Sequence, residues 1–332
     1  MALVELPPHE ELVATMTGGM VPAVPVHFTG SDLLRADGRP RPHFRDELRR
    51  IDNARNALTV GALLVAPVAV VWATALLNTW WAYVVGVVLM AVVQIRMYIL
   101  HHEAAHRLLF SNRKINDVVG INILGWLPLG TGTHHYRRGH ANHHRDEFGP
   151  NEPDFLLYSF YPIQRSSFRR KVRRDASGVS AYRMMKPRLT GLFTSKHRRN
   201  SLRFFGGQVL VLALFAISGN ALLYPLMWVL PYVTLYQIQN RLRSIAEHGG
   251  MTRSDDRRQT THHVEQHWFP QIFITPYNVG YHLAHHVDSG VPFRNLPKLQ
   301  RALQDAGYLE GVTVWPNYRS LWGALRRDDQ AA

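Results

Sequence analysis

Nineteen of the 332 residues are histidines, and nine of those fall in three short clusters: His101-His-Glu-Ala-Ala-His106, His140-Ala-Asn-His-His144 and His282-Leu-Ala-His-His286. If each cluster is helical, His102 and His106 sit at i and i+4. The other two repeat i, i+3 and i+4, so every cluster turns its imidazoles to one face. At this histidine content an HxxHH pattern should arise about 0.06 times by chance in such a chain. Two occurrences are therefore not a product of composition. Eight candidate ligands follow from the clusters: His102, His106, His140, His143, His144, His282, His285 and His286. His248, in Arg241-Leu-Arg-Ser-Ile-Ala-Glu-His248, is the ninth. Neutral imidazole is a good donor to iron, zinc or copper, and nine gathered without partners would be costly to bury. Nine donors exceed what one tetrahedral or octahedral ion uses, so the pattern asks for two ions; spacing alone does not choose the metal. The chain has no cysteine, which excludes thiolate sites, iron–sulfur ligation, disulfides and cysteine nucleophiles.

Ligating imidazoles need partners for their other ring nitrogen. Asp146, Glu147, Glu152 and Asp154 follow the middle cluster and are placed either to accept those N–H groups or to form an ordinary exposed acidic loop. Ser244 and Asn240 lie one and two helical turns before His248 on the same face, positioned to hold a metal-bound water or orient a ring. Glu103 and Glu247, next in sequence to His102 and His248, join Asp154, Asn240 and Ser244 as candidate supporting residues. His101, His134, His135, His262, His263 and His267 adjoin the clusters, with a supporting role and a solvated interfacial role both open. His9, His27, His43 and His197 are assigned to the surface.

These residues must be positioned by an apolar framework. Hydrophobic residues make up 46% of the chain, and they concentrate between Ala57 and Leu100 and between Phe204 and Gln239. The stretch Ala57–Leu77 is uncharged and about the 20 residues a bilayer core requires. After Asn78 and Thr79 the run Trp80–Leu100 returns, with Trp80 and Trp81 where an interfacial aromatic belt would lie. A second pair, Phe204–Ser218 and Ala221–Gln239, is separated by Gly219 and Asn220 and is near the short end of the spanning range. Val118–Leu129 is apolar but too short to span, is closed by Pro128, Gly130 and Gly132, and is expected to be interfacial or re-entrant.

Both hairpin turns lack charge, whereas Arg49, Arg50, Arg55, Arg107, Arg113 and Lys114 flank the first hairpin. Arg198, Arg199, Arg203, Arg241 and Arg243 flank the second, so the positive-inside rule puts every flank, and every candidate ligand, on the cytosolic side. The expectation is an all-α, multi-pass integral membrane protein of two transmembrane helical hairpins, about four spans, under a cytosolic helical cap that carries the histidines. Its divisions are a cytosolic N-terminal segment (1–56), hairpin 1 (57–100), a cytosolic or interfacial region (101–203), hairpin 2 (204–240) and a cytosolic region (241–332). Pro7, Pro8, Pro22 and Pro25, with no continuous apolar run among them, argue against a cleaved signal peptide. The formal charge of +14 is better explained by basic flanks of apolar spans than by nucleic acid, for which no module is recognisable. Between Arg165 and Arg203 a single acid, Asp175, stands among many cations, which reads as a segment facing lipid headgroups.

The pattern resembles the integral-membrane fatty acid desaturase and hydroxylase superfamily, from about Ala57 to Leu299. His102-Glu-Ala-Ala-His106, His140-Ala-Asn-His-His144 and Asn278-Val-Gly-Tyr-His-Leu-Ala-His-His286, with Val291-Pro-Phe and Leu296-Pro-Lys-Leu beyond, correspond to its three histidine boxes. The resemblance implies that the eight box histidines bind two irons and that His248 is the additional ligand after the last span. It implies O2 as co-substrate, a long acyl chain carried as a thioester or lipid, and a separate ferredoxin or cytochrome b5-like electron donor with its reductase. Desaturation is expected, with hydroxylation or ketolation of a hydrocarbon, lipid or carotenoid as the alternative. The chain departs from the family at Ser244, where an asparagine is common, and at Asp288, where a proline is common. Two other classes compete. His102-Glu-Ala-Ala-His106 also satisfies HExxH, the zinc protease signature with Glu103 as general base, which leaves both HxxHH clusters unexplained. A metal carrier would be expected to place its ligands within the spans rather than just beyond them.

Overall fold

The computed structural model describes residues 19–21, 25–129, 134–149 and 152–327. His9, most of the proline-bearing start, and Gly130 and Gly132 lie outside the described residues. The protein is largely helical. Among the described residues its strands are two parallel pairings of two residues each, Ile163–Gln164 with Arg326–Arg327 and His263–Val264 with Val314–Trp315.

The first apolar run forms helix α1, Asn53–Leu77, started by the Asp52 carboxylate, which accepts the Arg55 N–H at 3.0 Å. It ends at Asn78 in the left-handed conformation, φ 44°, and the chain reverses at once into α2, Trp80–Ala105. The ring of Pro67 is accommodated within α1, as spanning helices allow. Among the described residues three helical stretches are long and apolar enough to cross a membrane: the one ending with α1, then α2, then Ser195–Ile217. Their outward residues are apolar. Leu58, Val65 and Leu76 on α1 and Trp80, Val84 and Val85 on α2 are exposed, a surface that lipid solvates and water does not.

Beyond α2, residues Asp117–Trp126 form ten residues of π-helix laid along it. Glycine permits the approach: a Cβ at Gly120 would stand 2.0 Å from that of Ala104, and one at Gly125 would stand 2.2 Å from His101 Nδ1. The segment expected to be interfacial is therefore partly packing material, with Ile121 and Leu124 buried against α2. Helix α3, His134–Arg145, carries the middle histidine cluster. Two basic helices, Arg165–Ala176 and Val179–Gly191, lead to α4, Ser195–Ile217, which begins earlier than the apolar run and takes Lys196, Arg198 and Arg199 into its first turns.

The fourth expected span is not one continuous helix. Pro225–Val229 is π-helical, Leu230–Val233 is a short α turn, and Thr234, at φ −122° and ψ −86°, interrupts the path before α5, Leu235–His248. Pro231 has no N–H to give to the preceding turn, which explains the irregularity where the sequence reads as plainly apolar. Helix α6, His282–Val287, carries the last cluster. Leu100 and Ala104 of α2 share one buried core with Leu283, Ala284 and Val287 of α6. Full burial of each such leucine or valine contributes roughly 1.5–3 kcal/mol, so the two ligand-bearing ends are held by packing before any ion is considered. Ile245 and Ala246 of α5 are fixed by a second core with Phe148, Tyr158, Leu321 and Leu325.

Candidate metal centre

The C-terminal turn of α2 supplies His102, and His106 follows directly as its cap. His140, His143 and His144 come from one face of α3, His248 ends α5, and His282, His285 and His286 come from α6. Four separate elements thus bring all nine sequence candidates together in two groups. His102, His106, His140, His144 and His285 form one; His143, His248, His282 and His286 form the other, with donor atoms within 4.8 Å of one another in each. The groups adjoin, since the rings of His144 and His286 stack with centroids 4.3 Å apart.

The ring nitrogens show what the site could hold. His248 donates Nδ1–H to the Thr260 carbonyl at 2.9 Å, and His286 donates its Nδ1–H to Glu147. Both therefore turn an Nε2 lone pair inward, and both meet Nε2 of His282, at 3.1 and 3.0 Å. A neutral His282 has one ring hydrogen and can bridge only one of them. In the other group His140 Nε2 faces Nε2 of His106 at 2.8 Å and of His144 at 3.1 Å, with the same shortage. Converging lone pairs repel unless a cation lies between them. Two imidazoles bound to one ion at about 2.1 Å and at right angles stand about 3 Å apart, which matches these spacings. The donor set fits a metal centre.

Burial and the neighbouring imidazoles hold His140, His144, His282, His285 and His286 well below the ordinary histidine range. Burial lowers His106 and His248 to about 3, so these rings are neutral and offer lone pairs at physiological pH. His143 goes the other way. Burial alone would lower it, but Glu152, accepting its Nδ1–H at 2.8 and 3.0 Å, raises it to about 9, with help from Asp154 and Glu147. Asp154 lies in one group with His143 and Glu152. Because the carboxylate fixes ring and tautomer, Glu152→Gln is expected to weaken metal affinity about 10- to 100-fold, measured by competition with a chelating indicator. Wild-type affinity in that variant would contradict the orienting role.

The other supporting candidates divide. Glu247 accepts two bonds from Arg243, at 2.6 and 2.7 Å, and stands 3.5 Å from His282 Nδ1. Glu103 accepts the Phe293 N–H at 3.0 Å and so ties α2 to the loop after α6. A protease would need that carboxylate on a metal-bound water, and it would not need three further imidazoles beside His102 and His106. Ser244 gives its hydroxyl to the Asn240 carbonyl at 2.9 Å, and Asn240 Oδ1 takes a bond from Arg243 at 3.4 Å. Ser244 nevertheless borders, with His102, His143, His248 and His282, a cavity of about 30 Å³, room for one or two waters.

The remaining described histidines stand outside both groups. His101, His262 and His267 bond to the carbonyls of Gly120, Gly249 and Pro316, and His263 lies 3.8 Å from Glu265. His27, His43, His134, His135 and His197 are exposed. Sequence reasoning missed three supports. Tyr136 stacks on His140 at 5.6 Å. Arg257 pairs with Glu147 at 2.8 Å and donates to the His144 carbonyl at 2.9 Å, and the Thr260 carbonyl holds His248. A backbone carbonyl leaves no signal in side-chain type; Tyr136, four residues before His140 on a helical face, did leave one.

The chain is 27% identical over 306 residues to the dihydrorhizobitoxine desaturase of Bradyrhizobium elkanii, covering 85% of this chain and 86% of that protein. The sequence model of the family described as fatty acid desaturase matches residues 78–318, a span that holds α2 to α6 and all nine clustered imidazoles. On that match, most of its length, the chain belongs to the fatty acid desaturase family.

Proposed function

We propose that this protein is a multi-pass membrane desaturase whose nine imidazoles hold two irons and which uses O2 to introduce a double bond into a long acyl chain carried as a thioester or lipid. The observation that carries the reading is the convergence of imidazole nitrogens in two adjoining groups, with the lone pairs of His248 and His286 turned inward. Two irons bound there would supply the oxidising power that an unactivated C–H bond requires. The protein's own part is positional. Glu152, Glu147 and the Thr260 carbonyl hold ring hydrogens on Nδ1 so that the lone pairs stay inward. The buried core that α2 and α6 share keeps both groups in register.

An apolar cavity of about 180 Å³ opens among the spanning helices, lined by Leu64, Val68, Trp72, Met97, Val211 and Trp228. It supports an aliphatic substrate, because Met97 lies only five residues before His102 on α2, roughly 7.5 Å along the axis. The arginine-rich flanks support a cytosolic face for the site, with α1 and α2 as one hairpin and α4 with the broken segment after it as the other. Electrons are proposed to come from a separate ferredoxin or cytochrome b5-like donor with its reductase. The basic flanks would attract an acidic donor, so turnover should fall with salt, and salt-independent rates would count against that dock.

The test is lipid and fatty acid profiling of a host expressing the wild type beside an empty control, followed by incubation of the purified protein with acyl substrates, reductant and O2. New double bonds that require O2 are expected. Oxygenated products without any new double bond would replace desaturation by hydroxylation or ketolation at the same site.

A further inference from the structure

We infer that the substrate carries a compact anionic group, a carboxylate or phosphate, which docks in an arginine-lined vestibule directly over the histidine groups, so that oxidation occurs within a few bonds of that charge. This rests on the proposed desaturase reading and narrows its substrate to an acyl chain whose own head is anionic, in place of a thioester carrier. The vestibule is a cavity of about 490 Å³, in the size range of small-molecule sites. Its floor includes His106 and His144 from the five-histidine group and His286 from the four-histidine group. Its walls bring Arg35, Arg39, Arg45 and Arg49 from the chain before α1 to face Arg257 and the loop after α6.

Among the lining residues five arginines stand against one acid. Asp288 is the acid among the lining residues, and it is already held by Arg49 at 2.8 and 3.0 Å and by the Gly290 N–H at 2.9 Å. Arg257 is engaged with Glu147. Among the described residues Arg39 and Arg45 pair with the exposed Asp37 and Asp46, at 3.8 and 3.6 Å, pairs that contribute little. Arg35 adds a further cation. Five guanidinium groups about one concave space, beside a site for two cations, favour an anion inside it, and the guanidinium fork matches carboxylate and phosphate oxygens. Because ligands from both groups form the floor, a head group seated on these arginines places the first carbons of its chain beside the metal centre. An acidic protein donor is disfavoured by the concavity, since protein surfaces meet over broad, shallow areas.

The experiment uses the full chain, iron-loaded, in lipid nanodiscs. Binding of hexanoate, hexyl phosphate and methyl hexanoate is measured by calorimetry for the wild type, for Arg35→Gln/Arg45→Gln, and for the control Arg169→Gln/Arg170→Gln. Thermal melts verify that each variant is folded. The two anions are expected to bind and the neutral ester not; the vestibule variant should lose tenfold or more in affinity, and the control none. Whichever anion binds more tightly identifies the head group. Restoring charge with Arg35→Lys/Arg45→Lys should recover part of the loss. Equal binding of ester and anions, or wild-type anion binding by Arg35→Gln/Arg45→Gln, overturns the inference. So does unchanged anion binding with loss only of ferredoxin-driven turnover, which would make the face a donor dock. A product double bond near mid-chain overturns it as well. Anion binding that depends on the arginines, with no oxidised product from any substrate, would instead sink the desaturase reading and leave the vestibule standing.

Discussion

His144→Ala is expected to lower product formation by more than about 100-fold while leaving the helical fold in place. Changing a residue that only supports a ligand typically costs 10- to 100-fold in metal affinity or activity, and removing a ligand itself should cost more. His144 makes the closest ring contact between the two groups. It contributes to the five-histidine group, its Nε2 stands 3.1 Å from that of His140, and its ring stacks on His286 of the other group. Its removal therefore disturbs both groups at once. Its backbone carbonyl remains bonded to Arg257 in the variant, so α3 keeps that anchor. The measurement is the lipid profile of a host expressing the variant beside the wild type, with the helical circular dichroism of both purified proteins. An unchanged product level would remove His144 from the site.

The second large effect is on stability. Asp175→Asn should destabilise the protein by about 3 kcal/mol, because it strips one partner from a buried ion pair and leaves the other charge uncompensated. Both side chains are enclosed, Asp175 at 1% exposure and Arg241 at 8%, and Asp175 also accepts the Ser180 hydroxyl. Arg241 Nη2 donates to it at 3.0 Å. The pair fastens the basic helix Arg165–Ala176 to α5, whose last residue is His248, so the loss should also loosen that ligand. Thermal unfolding in nanodiscs checks it; a variant that melts with the wild type would show that Arg241 finds solvent or another partner.

That pair also shows where sequence reading stops. Asp175 stands out as the single acid in a basic stretch, yet nothing in the stretch names Arg241, 66 residues away. The histidines were legible because helical spacing puts the members of each cluster on one face, and the apolar runs were legible because lipid exposure demands them over whole helices. The bringing together of four elements is a tertiary fact, set by the core that α2 and α6 share and by the packing of α5 on a second core. Apolar content alone could not show that Pro231 and Thr234 break the fourth run, or that Gly120 and Gly125 let a π-helical segment close on α2. Asn240 and Ser244 share a face with His248, but the hydroxyl of Ser244 and the amide of Asn240 find partners on their own helix instead. Asp288, a departure from the family pattern, takes Arg49 as its partner and so helps shape the vestibule.

The claim on which the rest depends is that nine imidazoles in two groups hold two irons. Elemental analysis of the purified chain, expressed with iron and zinc both supplied, tests it directly. Two irons per chain and negligible zinc are expected, with X-ray absorption at the iron edge showing nitrogen and oxygen neighbours and no sulfur, as a site built of imidazoles requires. One zinc per chain and no iron would contradict the account.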